Sequence, residues 1–261
     1  NKKKDIEKQN NKNIIKLARG IGGELDGYKG DNKEEMTRLA KNDLKSSKFK
    51  ELSGEKKREK ITQLLNIPQY EQRSPEWFNQ RKDKLTSSDA ATVLGINPYS
   101  KSHELLFQKC GIERPFISNV ATLHGQRYED TAIEIYCRIT GKINHNFGLL
   151  CYSDVHKDLS DHNSEYDFIA GSPDGIAESI NNPDIEPILI EVKCPYKRPI
   201  KDGIIPEYYM PQVQLNLFIC NLSIADFIEY SPMDNKINIV RVYKDPRWFH
   251  KNLPVLCNFW N

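Results

Sequence analysis

Gly171-Ser172-Pro173-Asp174-Gly175, followed by Ile188-Leu189-Ile190-Glu191-Val192-Lys193, decides how this chain reads. The second run is β-branched and apolar and is bounded by Pro187 and Pro195, which predicts a strand. Residues two apart on a strand share a face, so Glu191 and Lys193 project together. The Gly/Pro turn can bring Asp174 beside them. Two carboxylates and an ammonium on one face suit a divalent-metal site that handles phosphate. Hard oxygen ligands of this kind hold Mg2+ or Mn2+ and leave room for water and phosphate oxygens. Taken alone, the same residues also suit a surface turn and a strand with a solvated Glu and Lys, because such short patterns recur by accident.

Working outward, the 261 residues, 38% of them hydrophobic, suffice for one good core and an appendage. No run approaches 18 apolar residues, so no membrane span is expected, and the cysteine usage leads to the expectation of an intracellular protein. The six cysteines are scattered without a C-x-x-C pair, which points to reduced thiols rather than zinc or an iron–sulfur cluster. Residues 1–60 hold 18 Lys and Arg against 11 Asp and Glu, a balance of +7. The whole chain carries only +2, so the remainder is mildly acidic. A basic arm on an acidic body suits a polyanion partner, and a solvated tail would look similar.

Residues 1–70 read as a basic helical arm or subdomain, with helices near 33–44 and 53–65 and Ser53 as a cap. Residues 71–261 read as one domain. Pro75 starts a helix, Ala90–Leu94 and 102–110 give two more, and His124 opens a helix that Gly141 ends. Strands are expected at 143–152, 166–171, 175–178 and 188–193. A helix over 208–220, strands at 227–230 and 237–243 and a C-terminal helix over 248–259 complete an α/β pattern: a mixed central sheet flanked by helices. Residues 154–165 and 178–186 read as polar loops.

The Ser172-Pro173-Asp174-Gly175 turn with Glu191-Val192-Lys193-Cys194-Pro195 resembles the PD-(D/E)xK nuclease superfamily. It is most similar to the lambda-exonuclease and YqaJ-type viral recombinase branch. Trp77, Arg81 and Leu85–Ala90, Gly125–Glu129, and Tyr208–Gln214 match further motifs of that branch in the right order. The resemblance covers roughly residues 72–245, and the Asn/Lys-rich texture is similar to giant-virus members. It implies a restriction-endonuclease-like core and a Mg2+- or Mn2+-dependent DNA exonuclease working 5′→3′ on duplex ends that carry a 5′-phosphate. Recombination, repair or defence would be its setting. A single-strand or structure-directed endonuclease, and a non-catalytic DNA-binding recombination scaffold, are the alternatives.

By the same resemblance, Asp174, Glu191, Glu129 and the Val192 carbonyl would hold metal. Lys193 would be the catalytic lysine, and Gln212 the glutamine of the last motif. Arg81, Ser88 and Ser172 would hold a terminal 5′-phosphate, and the chemistry agrees, since arginine grips phosphate bidentately while hydroxyls donate to the remaining oxygens. DNA, as duplex ends or single strands, is the expected partner. A homo-oligomer (dimer or ring) and a recombination or helicase partner are also implied, in host cytoplasm or a viral factory if the source is viral. Read singly, Glu129 also fits an acid in a helix's first turn, Ser88 a cap, and His124 a structural residue.

Overall fold

The computed structural model describes residues 54–112, 119–179 and 185–261, with backbone alone for 54–58. The expected helix at 33–44, the Ser53 cap and most of the basic arm lie outside the described residues. Elements follow in the order α1 (Gly54–Leu65), α2 (Pro75–Lys82), β1 (Leu85–Thr86), α3 (Ala90–Val93), α4 (Ser102–Lys109), α5 (Val120–Thr140), β2 (Lys142–His145) and β3 (Leu150–Cys151). Then come α6 (Tyr152–His156), β4 (Ile169–Gly171), β5 (Gly175–Ser179), β6 (Ile188–Lys193), α7 (Met210–Ile219), β7 (Ile224–Ser231), β8 (Lys236–Tyr243) and α8 (Pro246–Trp260). Among the described residues, no helix is long and apolar enough to cross a membrane.

Five strands form the main sheet in the order β2-β5-β6-β7-β8. The β6–β7 pair is parallel and the other pairs are antiparallel, so the sheet is mixed as expected. Strand β6 lies at its centre, and its apolar residues are buried on both faces, the pattern of a strand covered from two sides. Leu189 joins Phe227, Val213 and Leu253 in one apolar cluster, under α7 and α8. Ile190 and Val192 join Ile228 and Tyr136 in another, under α5. Glu191 and Lys193 share the parity of Leu189 and so point toward α7.

A second sheet, β1-β4-β3, lies beside α2 and carries the Gly171 end of the turn. The expected strand at 143–152 is divided between the two sheets. It breaks at Gly148, where an added Cβ would stand 2.2 Å from the Tyr70 carbonyl oxygen. Helix α5 starts four residues before His124, where the Asn119 side chain accepts from the Thr122 N–H. Helix α6 takes the last residue of the expected strand and the first three of the expected loop at 154–165. Its His156 is buried and bonded through Nε2 to the Phe218 and Ile219 carbonyls. Helix α1 docks on the body, burying Ile61 and Leu64 in the α7-side cluster, while Lys60 donates to the Asn221 carbonyl.

Candidate active site

The β5–β6 pairing sets Gly175 opposite Ile190. One residue further along each strand, Asp174 faces Glu191. Asp174 Oδ2 accepts from the Val192 N–H at 2.6 Å, which fixes the turn carboxylate to the strand edge. The Lys193 ammonium donates to Glu191 Oε1 at 2.5 Å. Glu191 is fully buried, and its second oxygen accepts from the Asn216 amide of α7 at 3.1 Å. Glu129 enters from α5 on the opposite side of the sheet and accepts from Arg73 at 2.9 Å. The sequence-expected Asp174, Glu191, Lys193 and Glu129 thus gather at one end of β6. Gln212 lies four residues before Asn216 on α7 and is half-buried, but the amide bonded to Glu191 is that of Asn216.

Electrostatics follow from this crowding. Burial pushes the Glu191 carboxyl up to about 8 against the pull of Lys193. Burial also raises Asp174, opposed by the Lys193 ammonium and the Val192 N–H. Glu129 is raised by burial and then by the Asp174 charge, opposed by Arg73 and Lys193. Burial works against the Lys193 ammonium, but Glu191 and Asp174 outweigh it, and its pKa lies above the ordinary lysine value. Among the described residues, no three His, Cys, Asp or Glu side chains stand close enough together to hold a metal as they are placed. The donor set nonetheless fits a hard cation by its chemistry: Glu129 and Glu191 are each raised by burial and then by the Asp174 charge, and all three offer carboxylate oxygens. A cation there would compete with Lys193 and Arg73 for the same oxygens.

The residues expected at phosphate form a second group. Arg81 donates to Ser88 Oγ at 3.1 Å and to Thr86 Oγ1 at 3.2 Å, and its guanidinium lies 4.3 Å over the Trp77 ring. The Trp77 indole N–H donates to Ser172 Oγ at 3.0 Å, linking this patch to the residue two before Asp174. Asp89, the nearby acid, is bound to Lys109 at 3.1 Å. Arg81 therefore faces hydroxyls and a ring, with its pKa lowered by burial and partly restored by Asp89. Among the described residues, no carboxylate is ion-paired with this guanidinium.

Sequence reasoning missed Asn216, Arg73 and Trp77's role as the link. Asn216 was visible as an amide in the otherwise apolar run Leu215–Ile219, where a buried polar group needs a partner. Arg73 carried no such signal: it reaches Glu129 from a backbone with φ of 70°, at the junction between α1 and α2. Gln72 beside it donates to the Phe147 carbonyl at 2.8 Å and to the Pro173 carbonyl at 3.2 Å, tying this junction to the Asp174 turn. The His124 ring packs at a tilt against Tyr128 and Tyr196, with centroids 4.8 and 5.3 Å away.

An uncharacterized protein of Acanthamoeba polyphaga mimivirus is 32% identical over 199 residues, covering 72% of this chain and 34% of that protein. A protein of African swine fever virus is 29% identical over 169 residues, covering 56% of this chain and 46% of that protein. The chain thus spans less than half the length of these two relatives. The crystal structure of an alkaline exonuclease from Laribacter hongkongensis superposes with a TM-score of 0.52 at 23% identity, over 71% of this chain and 90% of that one, and shares the fold. The family model described as the YqaJ-like viral recombinase domain matches residues 76–223, a stretch that runs from the first turn of α2 past the end of α7 and takes in Glu129, Asp174, Glu191, Lys193 and Asn216. The chain belongs to the YqaJ-like viral recombinase domain family.

Proposed function

We propose that this protein is a divalent-metal-dependent DNA exonuclease that degrades duplex ends 5′→3′ and prefers a 5′-phosphate. The observation that carries the reading is the link from Arg81 through Trp77 to Ser172, two residues from Asp174, which puts an anion-ready patch next to the carboxylate–lysine cluster. Family membership supports a nuclease, and the shared fold of the Laribacter exonuclease supports the same class.

In this reading Asp174, Glu191 and Glu129, with the Val192 carbonyl, hold Mg2+ or Mn2+. The bound ion would supply a water of lowered pKa and offset charge at the phosphodiester. Asn216 holds Glu191 by one oxygen and leaves the other to be shared. Lys193, drawn off Glu191, orients the attacking water and stabilises charge building on phosphorus. Gln212 lines the same face of α7 one turn before Asn216. Arg81, Ser88 and Ser172 receive the terminal phosphate, and contacts of that kind carry no sequence information, so cleavage is sequence-independent. We further propose that the full chain assembles as a homo-oligomer on DNA, read by light scattering with and without a duplex.

The test is cleavage of a linear duplex labelled at one end, with 5′-phosphate or 5′-hydroxyl termini, in Mg2+ or Mn2+. A closed single-stranded circle is treated in parallel. Progressive loss from phosphorylated 5′ ends with the circle intact is the expected result. A cut circle and indifference to the 5′ group would replace the reading with a single-strand endonuclease. DNA bound but left whole in both ions would replace it with a recombination scaffold.

A further inference from the structure

The junction between α1 and α2 reaches the carboxylates from outside the residues that the family model matches, which begin at 76. Its turn, Glu71–Ser74, is closed by the Ser74 N–H donating to the Glu71 carbonyl at 3.1 Å, and Arg73 holds the third position with φ of 70°. That backbone suits glycine, because a Cβ is strained there. An arginine kept in it against that preference points to a function for the side chain.

The backbone of the junction is pinned. Gln69 accepts from the Gly148 N–H at 2.7 Å, and Gln72 donates to the Phe147 and Pro173 carbonyls. Ile61 and Leu64 anchor α1 in the apolar core. The Arg73 side chain is not pinned in the same way. It is 46% exposed, Glu129 is the carboxylate it pairs with, and it borders a cavity of about 670 Å³. Its guanidinium can swing into that space without disturbing the turn. The other two carboxylates are engaged by groups inside the matched domain: Asp174 by the Val192 N–H, and Glu191 by Lys193 and Asn216. Of the three, Glu129 is the one held from outside it.

Carboxylates crowded together need a cation, and Arg73 brings one on a fixed tether. A divalent ion brings twice the charge to the same oxygens and repels the guanidinium as it arrives. We propose that Arg73 is a tethered counter-ion that latches the empty site, and that an incoming divalent cation takes Glu129 from it. The proposal rests on the metal-dependent nuclease reading and adds its regulation: the junction before the matched domain sets the metal concentration at which the site loads. Removing the guanidinium therefore tightens metal binding. A residue that merely shaped Glu129 for the ion would weaken binding when removed.

The experiment is Mn2+ titration calorimetry of the full chain, stripped of metal beforehand and free of DNA. Arg73→Gln removes the cation and keeps the strained backbone, whereas Arg73→Gly removes the cation and relieves the strain. Both variants are first checked for wild-type circular dichroism. Each should bind Mn2+ about tenfold more tightly than wild type, the scale of one charge-assisted hydrogen bond at a partly exposed site. Equal or weaker affinity in both variants overturns the proposal. Tightening confined to Arg73→Gly also overturns it, because the effect would then come from the backbone. So does the absence of Mn2+ binding in all three proteins. Failure of the nuclease reading shows separately, as Mn2+ bound more tightly by both variants while wild type leaves DNA intact.

Discussion

Lys193, half-buried, and Glu191, fully buried, hold each other as a pair, and the consequence of breaking it depends on pH. In Lys193→Met the Glu191 carboxyl keeps its burial and loses its cation. Its folded pKa is already raised to about 8 from an ordinary 4.5, so the stability tied to its neutral form is full below 4.5 and is lost as pH rises through about 8. The metal-free variant should therefore match wild type in melting temperature at acid pH and fall progressively below it on the alkaline side. A constant difference across that range would mean that Glu191 does not titrate there. Cleavage by the variant should drop by about 10²–10⁴-fold, measured in Mg2+ under single-turnover conditions. Asn216→Leu makes a separate prediction. It removes the donor to Glu191 Oε2 while keeping the helix apolar, and should weaken Mg2+ activation by about 10–100-fold with the fold intact. A metal titration of activity checks it, and an unshifted midpoint would reduce Asn216 to packing.

At the scale of elements, the turn between β4 and β5 is squeezed against α7. A Cβ at Gly171 would stand 2.2 Å from Asn216 Oδ1 and 3.1 Å from Ser87 Oγ. Gly171→Ala should cost about 1–3 kcal/mol in urea unfolding and lower cleavage as well, because the atom it displaces belongs to the residue that holds Glu191. Unchanged stability would show that α7 can withdraw without cost. These elements also show what a sequence can and cannot declare. The Ile188–Lys193 strand was legible because β-branching, flanking prolines and parity act within six residues. The division of 143–152 between two sheets was not, because Gly148 is placed by the Tyr70 carbonyl, over 70 positions away in sequence. Helix α6 was hidden for a similar reason: five residues are too few to hold a helix alone, and Tyr152 and His156 stay in place by packing on Phe218. Within the site, residues inside a motif were legible, whereas Arg73 was not, since its position depends on how the junction after α1 folds back on α5.

Over the whole molecule, charge and fold divide the labour. The basic excess lies before residue 60, yet Lys60, Ile61 and Leu64 are docked on the body. Truncation should therefore spare α1. Removing residues 1–53 should weaken duplex binding. The slope of log affinity against log salt should flatten by about 0.9 for each phosphate that those residues had neutralised. An unchanged slope would mean that they do not touch the DNA backbone.

The position of β6 has a consequence for biosynthesis. Its partner β5 precedes it by a short connection, but β7 follows only after α7, so one flank of the strand stays bare until residue 224 and beyond have left the ribosome. A nascent chain halted near residue 205 already contains Asp174, Glu191 and Lys193, yet lacks Asn216 and displays an apolar strand with an open hydrogen-bonding edge. Premature termination there should yield insoluble fragments rather than a feeble enzyme, and a nucleolytic hazard would arise only once the later strands had closed over β6.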